Sequence, residues 1–127
     1  MTQIITTILG IAALAGVVTF FALKPSHSGS VSAVINEQTV IIDVRTAAEY
    51  ASGHLDGARL LDVSNGQLKS ALPSLGKEVH YAVYCRSGNR SAQAVKLMQE
   101  NGFTHVTNLG SVSEAAAATK KSITTEG

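Results

Sequence analysis

The chain has 127 residues, a formal net charge of +1 and no tryptophan. That length holds one domain of ordinary size plus a tail, and with neither a Lys/Arg cluster nor an aromatic platform it argues against a nucleic-acid surface. The single cysteine rules out an intramolecular disulfide and a cysteine-only metal cage, and leaves that residue as either a buried hydrophobe or a nucleophile.

Ile4 to Leu23 runs for twenty residues without a charge. As a helix it would be about 30 Å long, the thickness of a bilayer core. It is apolar on every face, and a domain this small cannot surround such a helix. Residues 1–24 therefore read as a single-pass membrane anchor or an export signal, with membrane contact through residues 4–23. The anchor is the better reading, because no Lys or Arg precedes the run and signal peptides have a basic start and a shorter apolar stretch. Orientation is weakly specified: one α-amino charge lies before the run and Lys24 lies after it. Residues 25–33 are rich in serine and small side chains and form a linker. The domain proper spans residues 34–124.

Val40-Ile41-Ile42-Asp43-Val44 is a β-branched apolar run of the kind buried on both faces of a parallel sheet. Thr46-Ala47-Ala48-Glu49 has the spacing of a capping box, so a short helix starts there and stops near Gly53. Gly53-His54-Leu55-Asp56-Gly57 reads as a turn. Ala58 to Val63 predicts a second strand, and Gln67 to Leu72 a helical turn or two before Pro73. Val79 to Tyr84 predicts a third strand. Ser91 to Asn101 carries apolar residues at Ala94, Val95, Leu97 and Met98, a helical stripe that ends at Gly102. Val106 to Leu109 predicts a fourth strand, and the alanine-rich stretch Glu114 to Lys121 a last helix. Strands alternating with helices imply an α/β domain with a parallel sheet covered on both faces. Its ligands belong at the carboxyl ends of the strands, beside Val44-Arg45, Cys85-Arg86 and Asn108-Leu109.

Tyr84-Cys85-Arg86-Ser87-Gly88-Asn89-Arg90-Ser91 joins the third strand to the striped helix. Cys85 therefore sits just ahead of a helix N-terminus, where backbone N–H groups lack intrahelical partners and carry partial positive charge. Gly88 lets the loop curl several N–H groups inward as an anion nest. Arg86 and Arg90 add full charges. All of this favours thiolate over thiol and suits covalent catalysis. Asp43, at the end of a buried strand, needs a partner or a cap and reads as shaping the fold. Arg45 either adds to the positive field or pairs with an acid. His54 reads as a structural hydrogen-bonding residue rather than a catalytic one.

Cys85-Arg86-Ser87-Gly88-Asn89-Arg90 after a short apolar strand resembles the active-site loop of the rhodanese sulfurtransferases. Ile42 to Arg45, followed by Glu49-Tyr50 and Gly53 to Ala58, is similar to the upstream motif of that family. Gly102-Phe103 through Val106, Asn108, Leu109 and Gly110 resembles the segment after the active-site helix. The resemblance covers roughly residues 33–120. It implies a rhodanese-like sheet of about five short parallel strands flanked by helices, with the N-terminal apolar helix outside it. It also implies sulfur transfer through a Cys85 persulfide, from a small anionic donor such as thiosulfate to cyanide, a thiol or a protein acceptor. Cys85 would be the nucleophile, and Arg86, Ser87, Gly88, Asn89 and Arg90 the substrate-binding loop, with Asp43 and Arg45 in support. No cofactor and no metal are implied. The tryptophan common near the last strand of that family is missing, and the chain is similar to small exported single-domain members, which favours an extracytoplasmic domain.

Two other functions compete. A thiolate phosphatase also uses a Cys-to-Arg anion loop, but needs one residue more than the four, Arg86 to Asn89, found here. A persulfide carrier or thiol-based redox sensor needs the same thiolate without small-molecule turnover.

Overall fold

The computed structural model describes residues 35–126. The apolar segment 1–24 and the linker 25–33 lie outside the described residues. Among the described residues no helix is long and apolar enough to cross a membrane.

The elements run β1 (Val40–Asp43), α1 (Ala47–Ser52), β2 (His54–Leu55), β3 (Arg59–Leu60), α2 (Gln67–Ala71) with a 3-10 turn at Leu72–Ser74, β4 (Tyr81–Tyr84), α3 (Asn89–Glu100), β5 (Val106–Gly110), α4 (Val112–Thr119) and β6 (Ile123–Thr124). Among the described residues the main sheet has four strands in the order β3-β1-β4-β5, all parallel. This is one strand fewer than the expected five. The two remaining short strands, β2 and β6, pair with each other antiparallel in a separate ribbon.

The two central strands are apolar without interruption because both of their faces are covered. Side chains alternate between two buried clusters. Ile42, Tyr81, Val83 and Cys85 point to one side, with Leu68, Ala94 and Met98 from α2 and α3. Ile41, Ala82 and Tyr84 point to the other, with Leu55 and with Ala115 of α4. Fully burying each of the large apolar side chains contributes roughly 1.5–3 kcal/mol. On α3 the fully buried positions are Ser91, Ala94 and Met98, the i, i+3, i+7 spacing of one helix face. That face seats α3 on β4 and β5 and fixes its first turn beside Cys85.

Thr46 and Glu49 form the expected capping box, and α1 ends at Gly53. Three expectations change. The strand expected over 58–63 shortens to Arg59–Leu60, because the Asp62 carboxylate accepts from the N–H of Ser64 at 2.7 Å and bends the chain in an Asx turn. The last helix begins earlier, at Val112, because Ser111 and Glu114 form a second capping box. The expected turn at His54-Leu55 is strand β2, held in register by Thr124 and Ile123, a pairing too distant in sequence to appear in local pattern.

Candidate active site

Cys85 follows the last residue of β4, and its own N–H donates to the carbonyl of Gly110 at 2.9 Å. The β4–β5 register shifts between Val83 and Tyr84, so that Tyr84 pairs with Gly110. An irregularity of this kind bends and twists a strand end locally, and here it lies one residue before the cysteine. The chain then turns through Arg86 and Ser87 to Gly88, the residue before α3, at φ +100°. Only glycine adopts that backbone without strain. The resulting loop turns the Gly88 N–H back onto Cys85 Sγ at 2.9 Å.

The sulfur is buried. Burial pushes the thiol up, but the Ser91 hydroxyl and the backbone N–H groups of Ser91, Gly88 and Ser87 outweigh it, and the net direction is below the ordinary thiol range. Hydrogen bonds to the charged form favour that form, and the partial positive charge of a helix start acts in the same direction. The amides and one hydroxyl therefore favour the thiolate form of Cys85.

The expected site residues separate into distinct roles. Arg86, Ser87 and Asn89 are exposed on the loop, and Gly88 is half-buried. Arg90 turns away from open solvent: its two terminal nitrogens donate to Glu49 Oε1 at 2.8 Å and Oε2 at 3.0 Å. This pairing raises the Arg90 guanidinium and holds the Glu49 carboxyl at about 2, first through Arg90 and then, against burial, through the N–H and hydroxyl of Thr46. Asp43 and Arg45 form a buried ion pair at 2.6 Å. Arg45 also donates to the carbonyl of Gly53 at 2.7 Å, and its guanidinium lies over the Tyr84 ring at 5.6 Å. The pair ties the end of β1 to the end of α1. His54 is buried, donates Nδ1–H to the carbonyl of Tyr50 at 2.7 Å and stacks on the Tyr50 ring at 3.6 Å.

Sequence reasoning passed over Glu49 as a partner of the loop and did not single out Ser91 and Asn108. Ser91 Oγ lies 3.5 Å from Cys85 Sγ and donates to Asn108 Oδ1 at 2.7 Å. The position of Asn108 at the carboxyl end of a strand was the available signal.

Fold and loop together define a parallel α/β domain that holds one cysteine in a cradle of amides at a helix start. The family model described as "Rhodanese-like domain" matches residues 29–118, and the chain belongs to that family. It is 33% identical over 75 residues to the thiosulfate sulfurtransferase PspE of Escherichia coli (strain K12), covering 59% of this chain and 72% of that protein. It is 33% identical over 73 residues to a sulfurtransferase of Allochromatium vinosum, covering 58% of this chain and 66% of that protein. Among solved structures, the rhodanese-like domain of the Alr3790 protein from Anabaena sp. superposes with a TM-score of 0.59 at 30% identity, covering 68% of this chain and 98% of that one.

Proposed function

We propose that this protein is a sulfurtransferase that moves one sulfane sulfur atom through a persulfide on Cys85. The observation that carries the reading is the N–H of Gly88 at 2.9 Å from Cys85 Sγ, in a loop whose other amides also favour the thiolate. The thiolate attacks the outer sulfur of a donor such as thiosulfate. A new S–S bond forms at Cys85, the donor's S–S bond breaks, and its electron pair leaves on sulfite. Cyanide or a thiolate then attacks the terminal sulfur, and the electron pair of that S–S bond returns to Cys85. No cofactor enters this scheme. The buried sulfur favours a small donor head, and the exposure of Arg86 on the loop supports its meeting an anionic one. The names of the two curated relatives support sulfur transfer as the reaction class.

The apolar run Ile4 to Leu23 supports a tethered or exported placement, and the likeness to small exported family members supports a domain outside the cytoplasm.

The test is thiosulfate-to-cyanide transfer by the full-length chain in detergent, beside Cys85→Ser, with mass spectrometry of the thiosulfate-treated protein. Turnover and a gain of one sulfur, both lost in Cys85→Ser, are expected. A sulfur gain without turnover would reassign the protein as a persulfide carrier for a protein acceptor. Neither signal in folded, reduced protein would overturn sulfur chemistry and leave a redox-sensing module.

A further inference from the structure

Ser91, on the first turn of α3, is fully buried. Its hydroxyl oxygen stands 2.7 Å from Asn108 Oδ1, 3.0 Å from the carbonyl oxygen of Gly88 and 3.5 Å from Cys85 Sγ. A serine hydroxyl has one hydrogen to donate. The carbonyl of Gly88 can only accept. So can the atom of Asn108 that faces Ser91, because the backbone N–H of Gly110 donates to that same atom at 2.9 Å, which identifies it as the oxygen. One hydrogen therefore has three takers, and the protonation of Cys85 decides among them. A thiol donates its own S–H to Ser91 Oγ, and the serine passes its hydrogen on to Asn108 or Gly88. A thiolate is itself an acceptor, and a charged one, so the serine hydrogen turns to sulfur.

We propose that Ser91 is a one-hydrogen toggle for Cys85, and that Asn108 is the positioning residue that holds the toggle in its thiol setting. The inference rests on the sulfur-transfer reading and deepens it. Ionisation releases the S–H proton to solvent, and the serine hydrogen swings onto Sγ. As Cys85 forms its bond to the donor sulfur, the negative charge leaves Sγ and the hydrogen is free to swing back. When the acceptor removes the terminal sulfur, Cys85 becomes the leaving group and the hydrogen returns to it. Ser91 thus serves the sulfur both as nucleophile and as leaving group, and no electrons beyond those of the S–S bonds move.

Charged groups lie on the neighbouring elements, and of these Arg90 acts on Cys85 through its charge. Arg86 lies on the loop, and Arg90 of α3 is paired with Glu49 of α1. Asp62, after β3, acts on Arg90. Asp43 and Arg45 at the end of β1 are closed on each other, and Glu114 of α4 is held by Ser111. Substitutions at positions 91 and 108 remove none of these charges.

The test is the pH titration of the ultraviolet thiolate absorbance in the full chain, where the single cysteine makes the thiolate signal unambiguous. Ser91→Ala should move the midpoint up by about one pH unit, and Ser91→Thr should restore most of it. Asn108→Leu, which removes the nearer of the two thiol-state acceptors, should move the midpoint down by about half a unit. The double variant should titrate like Ser91→Ala alone, because Asn108 acts only through the serine. An unchanged or raised midpoint in Asn108→Leu, or a double variant that differs from Ser91→Ala, would overturn the proposal. Asn108 is exposed, and Asn108→Ala gives the same reading if the leucine variant does not fold. The titration needs no sulfur donor, so its outcome is independent of whether the protein turns over thiosulfate.

Discussion

Glu49 accepts a hydrogen bond on each of its carboxylate oxygens from Arg90, at 2.8 and 3.0 Å, across 41 residues of sequence. The same Oε1 also closes the capping box on the N–H of Thr46 at 3.0 Å. One carboxylate thus starts helix α1 and fixes the guanidinium at the start of α3, so the loop around Cys85 is braced from outside.

Removing that carboxylate should weaken both tasks. Glu49→Gln keeps the size and part of the cap but loses the charge. It should cost about 1–2 kcal/mol of stability at neutral pH and reduce sulfur transfer roughly 3- to 10-fold through misplacement of the loop. Urea unfolding and steady-state turnover measure the two effects. A variant as stable and as active as the parent would show that the brace is incidental.

The same pair sets an acid dependence. Glu49 has a folded value of about 2, against about 4.3 for an unperturbed glutamate. A depressed carboxyl stabilises the fold fully above its unfolded value, and the contribution disappears as pH falls through that value toward the folded one. Urea midpoints of the parent chain should therefore drop between about pH 5 and pH 2 more steeply than those of Glu49→Gln. Parallel curves would remove Glu49 as a source of the acid sensitivity.

Gly88→Ala separates backbone geometry from bulk. A Cβ at position 88 would meet the Gly110 Cα at 3.6 Å, an ordinary contact, but on a backbone at φ +100°. The cost is conformational, about 1 kcal/mol or more, and relaxing it swings the N–H away from sulfur. The thiolate midpoint should rise and turnover at neutral pH should fall with it. Loss of stability with an unmoved midpoint would mean that the Gly88 N–H does not support the thiolate.

Arg86 is exposed and has no ion-pair partner among the described residues. If it receives the anionic end of the donor, Arg86→Gln should raise KM for thiosulfate about tenfold with kcat little changed, the loss of one charge-assisted contact of about 1.4 kcal/mol. A donor without a formal charge should show no such change. Equal effects on both donors would assign Arg86 to loop structure.

Breaking the buried pair should be the most damaging substitution outside the loop. Arg45→Ala leaves Asp43 charged and buried and the Gly53 carbonyl without its donor. A loss of about 3–5 kcal/mol is expected, read from chemical unfolding. Replacing Asp43 and Arg45 together by leucine and methionine should recover part of it, because no uncompensated charge remains.

Much of this domain is written in local pattern. The apolar runs of β1 and β4, the Thr46–Glu49 cap, the stripe of α3 and the glycine at position 88 each act over a few residues, where hydrogen-bond geometry and side-chain period leave few alternatives. That is why the parallel α/β class and the place of Cys85 between strand and helix were legible in the sequence. Partners distant in the chain were not. Arg90 read as a loop cation that binds substrate and also fixes loop shape, but its partner Glu49 came only with the fold, and Asp43 and Arg45 became a clamp only once Gly53 was beside them. His54 left its expected turn because β6 arrives from the other end of the domain. Ser91 and Asn108 are 17 residues apart and carry no motif as a pair. The sequence by itself determined that the single cysteine lies at a strand end and which element precedes and follows it. The tertiary structure alone decided which charges remain free and where one serine hydrogen goes, because those depend on distances between segments that only packing brings together.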